Sequence, residues 1–423
     1  MTSKIAIIGA GYVGLTTGAC FAHIGHEVVC ADVDAAKVER LSRGELPIYE
    51  PGLQQIVSEA MRAGRLRFVV GAATAAAECE FAYLCVPTPQ GDDGSADLSY
   101  IEEAARQIAP VLPPNAVVVN KSTVPVGSAQ VVERVLARPD VKVVSNPEFL
   151  REGSAVADFL KPDRIVIGSD DQSAAIRVAS LYLGISAPLI VTDPASAETI
   201  KYAANAFLAT KISFINAVAA ICENVGADVN DVVLGIGYDK RIGHDFLRPG
   251  PGWGGSCFPK DTRALVKIAE DADYDFNLLK GVIVVNDEQR DRMVDKVRRA
   301  AGGSLDGVVV AAWGLTFKAR TDDLRESPAL AIIADIVKEG AIVRAYDPQV
   351  GRDLPGIEVR ADALAACEGA ALLLVLTEWD EFRWIDLHEV RQRLTGTNIV
   401  DTRNLLDRSN AVRAGFVYQG VGR

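Results

Sequence analysis

The chain has 423 residues, 49 % hydrophobic and 24 % charged, an ordinary globular balance with length for about two to four domains. Lys and Arg number 44 against 56 Asp and Glu, a formal charge of −12, which argues against nucleic acid or an anionic membrane as partner because both are bound through cations. The cysteines (Cys20, Cys30, Cys79, Cys85, Cys222, Cys257, Cys367) are odd in number and form no CxxC pair, and the histidines (His23, His26, His244, His388) show no pair at helical spacing. No disulfide framework, zinc ribbon or metal site is therefore expected, and the compartment reads as the reducing cytoplasm.

Residues 5–25 carry no Asp, Glu, Lys or Arg, and superficially resemble a secretory leader. They hold Gly9, Gly11, Gly14 and Gly18 at motif spacing, so they are read as structure. The N-terminal third alternates strands, at Lys4–Ile8, Glu27–Ala31, Arg67–Val70, Phe81–Val86, Ala116–Lys121 and Lys142–Ser145, with helices at Tyr12–Ile24, Ala36–Arg43, Gly52–Ala63 and Tyr100–Val111. Apolar strands without polar alternation, separated by helices, indicate a parallel doubly wound α/β sheet. Strands at Arg164–Ile167 and Leu189–Thr192 follow. Asp193 then caps, and Pro194 opens, an Ala-rich helix running to about Gly226, roughly 48 Å long at 1.5 Å per residue. A helix of that length connects domains or supplies an oligomer interface. Lys211 interrupts the nearest apolar run, so no membrane span is expected. Helices continue to about Ala301, apart from the Gly-rich segment 235–257. A second, smaller α/β unit follows Gly302-Gly303. It has strands at Val308–Trp313, Ile342–Tyr346 and Ala371–Leu376, helices at Pro328–Glu339 and Ala361–Cys367, and a closing strand at Ile399–Asp401. It lacks the glycine pattern of the first.

That pattern is Gly9-Ala10-Gly11-Tyr12-Val13-Gly14, between a strand and a helix. The first glycine permits a tight turn, the second lets backbone approach a pyrophosphate, and the third lets helix pack on sheet. The helix N-terminus offers unpaired N–H groups to phosphate. The next strand ends at Asp32, where an acid can bind the adenine ribose and repel a 2′-phosphate. NAD is therefore favoured over NADP, with Lys37 softening the preference.

The stretch from Gly250 to Asp261 is the most informative. Its glycines make a loop whose backbone can touch a ligand. Cys257 lies ahead of a helical run expected at Thr262–Ala272 and close to Lys260, and both features favour the thiolate. Beside an NAD site, a nucleophile is the better reading than a structural thiol. Lys201 and Asn205 lie at i and i+4 on the long helix and suit an oxyanion, although the same pair read alone describes a solvated helix face. Glu148 and Glu152, in Asn146–Gly153 after a strand end, are candidate general bases or merely acids on a turn. The hydroxyls of Lys121–Gly127 suit a water or a nicotinamide.

Together, GAGYVG at 9–14, IYEPGL at 48–53, CVPTP at 85–89, STVPVG at 122–127, NPEFLREG at 146–153, KYAANAFLA at 201–209 and GGSCFPKD at 254–261 closely resemble the UDP-glucose 6-dehydrogenase family, within the wider UDP-glucose/GDP-mannose dehydrogenases. The resemblance covers essentially the whole chain. It implies an α/β fold of two Rossmann-like doubly wound domains joined by a long central helix that builds a homodimer. The corresponding divisions are 1–193 for NAD, 194–302 for dimerisation and the catalytic loop, and 303–423 for the nucleotide sugar. It implies NAD at Gly9, Gly11, Tyr12, Val13, Gly14, Asp32 and Lys37, with Thr88, Thr123, Glu152, Lys260 and Arg325 along it. The sugar nucleotide, UDP-glucose, would lie on Glu148, Phe149, Leu150, Glu152, Lys201, Asn205, Arg241, Phe246, Leu247, Arg248, Gly250, Gly252, Trp253, Gly254, Phe317, Lys318 and Arg403. Cys257 would be the nucleophile, Lys201 and Asn205 would stabilise oxyanions, Asp261 and Thr123 would position water, and Glu148 would shuttle a proton. The alternatives are a dehydrogenase of UDP-N-acetylmannosamine or GDP-mannose, and a non-catalytic NAD-binding sensor. The segment from Arg241 to Arg248 followed by CFPKD resembles the UDP-glucose branch more closely.

Overall fold

The computed structural model describes residues 2–91 and 96–423, in two compact units. One comprises Met1–Ala204 with Arg263–Tyr274, the other Asn205–Thr262 with Asp275–Arg423.

The first unit holds an eight-stranded sheet. Its strands are β1 (Lys4–Ile8), β2 (Glu27–Asp32), β3 (Leu66–Val70), β4 (Phe81–Leu84), β5 (Val117–Asn120), β6 (Lys142–Ser145), β7 (Ile165–Gly168) and β8 (Leu189–Thr192). They lie in the order β3-β2-β1-β4-β5-β6-β7-β8. The first six are parallel, and their apolar runs follow from burial. Ile5 and Ile7 of β1 pack on one face with Leu15, Phe21 and Tyr83, while Ala6 and Ile8 pack on the other with Leu84, Ile101 and Val118. A strand covered on both faces gains nothing from polar alternation. Contrary to a wholly parallel sheet, β7 meets β6 antiparallel, through Ser145 and Gly168 alone. The helices at Ala72–Ala76, Ser128–Leu136, Ala155–Leu160 and Gln172–Ser180 are not evident in the sequence pattern. Each is under ten residues, too short for a clear 3.6-residue period.

The second unit repeats the design at smaller scale. Its strands are β9 (Val309–Trp313), β10 (Ile342–Tyr346), β11 (Ile357–Val359), β12 (Leu372–Val375), β13 (Asn398–Asp401) and β14 (Val417–Gln419), all parallel in the order β11-β10-β9-β12-β13-β14. The strand at Ile399–Asp401 does not close this unit. β14 lies outside it, and both β14 and β11 are three-residue edge strands with little sequence signature.

The long helix runs Pro194–Val225, with Asp193 accepting from the Ser196 amide at 2.8 Å as expected of its cap. By length and composition alone it is apolar enough to cross a membrane, so Lys211 does not disqualify it as the sequence pattern suggests. Its polar residues Glu198, Lys201, Asn205, Ser213 and Asn216 are all buried in protein. Glu198 accepts from the amides of Gly127 and Ala129 at 2.7 and 3.1 Å and from the Ser145 hydroxyl at 2.9 Å. It thus satisfies the start of the helix at Ser128–Leu136 and the end of β6 together. Replacing Glu198 with Ala strands three donors, two of them buried, and should lower the unfolding free energy by about 3 kcal/mol. Urea denaturation of the two proteins measures this, and an unchanged midpoint and slope would refute it.

Candidate active site

The candidate residues of the first unit collect at the carboxyl ends of its parallel strands, where open α/β sheets bind ligands. Gly9 follows β1 with φ +101°, and its amide donates to Ala31 O at 2.8 Å. A Cβ at Gly14 would stand 1.9 Å from Gly9 O, so the turn and the helix at Tyr12–His23 approach as closely as glycine permits. Gly11 caps that helix without a side-chain bond, whereas the helices at Ala35–Ser42 and Gln172–Ser180 are capped by Asp34 and Asp171. An acid here would oppose a pyrophosphate; its omission leaves the first amides and the positive helix end to one. Asp32 ends β2 and accepts from Ala10 N at 3.1 Å and from Lys37 Nζ at 2.8 Å. Although burial opposes ionisation, these donors and the Asp34 amide hold its carboxyl below its ordinary range. The whole arrangement fits a dinucleotide with a free adenine ribose.

The second sheet has the same strand order but spends the equivalent groups internally. After β9, the amides of Leu315 and Thr316 donate to Asp347 at 2.8 and 3.0 Å, and the Thr316 hydroxyl and Trp379 Nε1 each add a bond at 3.0 Å. Asp347 follows β10 as Asp32 ends β2, but here the carboxylate itself occupies the anion position. No helix begins until Pro328, capped by Ser327.

Four loops of the first unit are clasped in two pairs. Thr88 donates to Thr123 O at 2.9 Å and Ser122 to Val86 O at 2.7 Å. Glu50 accepts from the amides of Gly153 and Ala155 at 2.7 and 2.8 Å and from the Tyr12 hydroxyl. Sequence reasoning alone misses Glu50 as a site residue; its one sign is the IYEPGL segment. Glu152 is half-buried, and its charge is felt at Tyr12. Phe149 and Leu150 are half-buried beside Glu148.

Lys201 and Asn205 are buried, which removes the solvated-face reading. They have separate partners. Lys201 Nζ donates to Glu148 Oε1 at 2.9 Å in the first unit. Asn205 Nδ2 donates to Asp261 Oδ2 at 2.6 Å in the second. Asp261 is fully buried and also accepts from Lys260 Nζ at 2.5 Å, so the Lys260 charge is shared with that carboxylate rather than left wholly to Cys257.

Cys257 itself immediately precedes the helix at Phe258–Asp271, four residues earlier than the sequence indicates, and its carbonyl accepts from the Asp261 amide at 2.8 Å. Pro259 hides the start, because proline fits the first turn of a helix as readily as a loop. Among the seven cysteines Cys257 alone is not buried. Burial pushes Cys20, Cys85 and Cys367 up to about 12 and Cys79 to about 11.

The glycine loop before it is held from two helices. Gly250 N donates to Asn216 at 2.8 Å and Gly250 O accepts from Gln289 at 2.7 Å. Trp253 donates through its backbone to Asn286 and through its indole to Ser213, at 2.8 and 2.9 Å. Ser213 and Asn216 lie in a mostly apolar helix and Asn286 and Gln289 in a run of polar residues, Asn286 to Arg292, so neither pair stands out in the sequence. A Cβ at Gly254 would stand 2.0 Å from Glu326 O, so the loop lies directly on the segment before Pro328. Gly252, Leu247 and Trp253 are buried, Phe246 half-buried, and Arg403 donates to Leu376 O and Phe317 O at 2.8 and 3.0 Å. Lys318 is half-buried beside the Phe317 ring. Arg241, Arg248 and Arg325 are exposed; Arg241 and Arg325 are paired with Asp239 and Asp323.

Three models of one family match in succession: the NAD binding domain at residues 3–186, the central domain at 195–288 and the UDP binding domain at 311–408. The chain belongs to the UDP-glucose/GDP-mannose dehydrogenase family. It is 47 % identical to a UDP-glucose 6-dehydrogenase of Rhizobium meliloti, over 99 % of both chains. A solved UDP-glucose dehydrogenase of Pyrobaculum islandicum is similar over 100 % of this chain and 98 % of that one, with 38 % identity and a TM-score of 0.91. A UDP-D-ManNAc dehydrogenase of Pyrococcus horikoshii has the same fold over 99 % of each chain, with a TM-score of 0.88 but 27 % identity. The family's NAD binding domain thus coincides with the uncapped helix and Asp32, and its UDP binding domain with the sheet whose dinucleotide features are spent.

In this family member the exposure difference among thiols has a direct chemical consequence. Brief iodoacetamide treatment of the native protein near pH 8 should add one carbamidomethyl group per chain, at Cys257. Peptide mass mapping checks the position; labelling that persisted unchanged in Cys257→Ala would contradict it.

Proposed function

We propose that this chain oxidises UDP-glucose to UDP-glucuronate with NAD, through a thioester on Cys257. Membership of the family and the resemblance to UDP-glucose 6-dehydrogenases support the overall reaction. The observation that carries the covalent route is Cys257, the one part-exposed thiol, seated at a helix N-terminus. Identity of 47 % to a UDP-glucose enzyme against 27 % to a UDP-D-ManNAc enzyme favours glucose over the N-acetylated sugar.

NAD, when bound, accepts a hydride in each of two oxidations. In the first, the sugar's primary alcohol loses its proton and becomes an aldehyde. Glu148, tied to Lys201, is the group we assign to that proton. The Cys257 thiolate then adds to the carbonyl carbon, forming a C–S bond and a thiohemiacetal oxyanion. Asn205 and Lys201 supply donors of the kind that stabilise this charge. The second oxidation removes the remaining hydrogen and leaves a thioester. Water adds to it, the C–S bond breaks, and the carboxylate and the Cys257 thiol are released. Asp261 and Thr123 are assigned to the water. Two hydrides leave per sugar, and water provides the second carboxylate oxygen.

The NAD contacts assigned are Gly9, Gly11, Tyr12, Val13, Gly14, Asp32, Lys37, Thr88, Thr123, Glu152, Lys260 and Arg325. The sugar-nucleotide contacts assigned are Glu148, Phe149, Leu150, Glu152, Lys201, Asn205, Arg241, Phe246, Leu247, Arg248, Gly250, Gly252, Trp253, Gly254, Phe317, Lys318 and Arg403. The functional divisions are taken as 1–193, 194–302 and 303–423, and the compartment as the cytoplasm. A homodimer built on the long helix belongs to the same reading. Phe207, Phe214 and Ile221 recur every seven residues along it and are 65, 55 and 59 % exposed. Such a stripe asks for a partner, and a two-fold copy supplies the same stripe.

The decisive assay supplies UDP-glucose, UDP-N-acetylmannosamine and GDP-mannose to one preparation and counts NADH. UDP-glucose should give two NADH per sugar with no free aldehyde, and the other two should be at least about a hundredfold poorer in kcat/KM. Cys257→Ala should lose acid formation by orders of magnitude, and Cys257→Ser should accumulate a uronyl ester visible by intact mass. Normal stoichiometry in Cys257→Ala would overturn the covalent route while leaving cofactor and fold intact.

The dimer is checked separately. Sedimentation at micromolar concentration should show a dimer, and Phe214→Glu should shift it to monomer. A wild-type monomer would refute the interface.

A further inference from the structure

We propose that Lys121 is a positioning residue of the reaction: its buried ammonium holds the root of the Glu148 loop through Asn146 and, with Lys201, balances the charge of the buried Glu148 carboxylate. This rests on the assignment of Glu148 as proton acceptor made above. Lys121 follows β5 directly and is 5 % exposed. Its Nζ donates to Asn146 Oδ1 at 3.2 Å and to the Tyr182 hydroxyl at 3.4 Å. Tyr182 in turn donates to the same Asn146 oxygen at 2.6 Å, and Asn146 Nδ2 donates to Val166 O at 2.8 Å. Asn146 stands two residues before Glu148, so this network fixes the root of the Glu148 loop. Glu148 Oε2 accepts from the Leu150 amide at 2.6 Å, completing the turn.

The charges have few places to go. One cavity is lined by Lys121, Asn146, Glu148, Phe149, Arg164 and Tyr182, among others. The charged or titratable groups lining it are Lys121, Glu148 and Tyr182, buried, and Arg151, Asp158, Lys161 and Asp163 toward the surface; Lys201 from the long helix, Cys85 from the end of β4 and Tyr83 from β4 act on the buried groups. Arg164 adds a guanidinium 3.6 Å from the centre of the Phe149 ring. Two buried ammonium groups therefore share one buried carboxylate. Burial pushes Lys121 down to about 8; Glu148 and Cys85 resist the fall and Lys201 adds to it. Its charge is thus present below about pH 8 and lost above. An amine held at that cost, without a carboxylate within hydrogen-bonding distance, is explained by the carboxylate whose ionisation it supports.

The test uses the full-length enzyme and the pH profile of kcat with UDP-glucose. Glu148→Gln first identifies the acid limb: if that limb persists, the Glu148 assignment fails and Lys121 is not at issue. Given its loss, Lys121→Gln, which keeps a donor for Asn146 but no charge, should move the wild-type acid limb up by about one pH unit. The KM values for NAD and sugar should stay within about twofold. Lys121→Arg, which keeps the charge, should return the limb toward its original position. Lys121→Met serves as the charge-free variant if the Gln protein does not fold. An unmoved limb in the charge-free variant, or equal movement in the Arg variant, would overturn the proposal, since a purely structural role changes stability and rate without separating charge from shape.

Discussion

A carboxylate can be buried only where its oxygens find donors, and this chain uses that requirement to fix its loops. Glu50 gathers the amides of Gly153 and Ala155, Glu198 those of Gly127 and Ala129, and Glu148 that of Leu150. In the second unit Asp347 gathers Leu315 and Thr316, and Asp401 gathers Arg403 and Leu406. Each of these carboxylates fastens a loop at or beside a strand end. Loops are ordinarily the mobile part of a fold. Here each carries its own electrostatic fastening, and the candidate residues are held on rigid supports without lengthening the strands.

The two sheets show how the same strand order leads to different ligands. In both, the order is that of a dinucleotide-binding fold. In the first, Gly11 leaves helix amides uncapped and Asp32 stays reachable. In the second, Asp347 is buried beneath Trp379 and takes the amides itself. Topology places a crevice at the strand ends; the fate of one acid and a few amides decides whether its first turn keeps the uncapped helix end that a dinucleotide uses.

Much of this is legible in the sequence. The regular strands of the first unit and the long helix are visible because burial on both faces leaves unbroken apolar runs, and because Asp193-Pro194 marks a helix start unambiguously. The loop before Cys257 is visible because clustered glycine weakens helix and strand alike, so a run of it beside a thiol marks a loop shaped for close approach. Other features cannot be read. Short helices such as Ala72–Ala76 and edge strands such as Val417–Gln419 span too few residues to show a period. The pairing of Lys201 with Glu148 and of Asn205 with Asp261 joins positions more than fifty residues apart, whereas spacing along one helix suggests a common partner. Glu50, Ser213, Asn216, Asn286 and Gln289 bond chiefly to the backbone and indole of distant loops, and such contacts leave almost no trace in side-chain pattern.

Selection of one thiol among seven follows from the same economy of burial. A thiolate needs water or a positive field, and the core provides neither for Cys20, Cys85 or Cys367, whose deprotonation is pushed far above neutrality. No special chemistry at those positions is needed to keep them inert. Cys257 differs by place: it is the residue where a glycine-rich loop ends and helix amides begin, so it combines access with a favourable field. Lys260 stands near but is shared with buried Asp261, which leaves the helix end as the more dependable influence. A substitution that displaced the loop, such as filling Gly254 against Glu326 O, would disturb that placement without touching the sulfur. Access and field at this position are therefore properties of how the loop lies on its support, as much as of the cysteine itself.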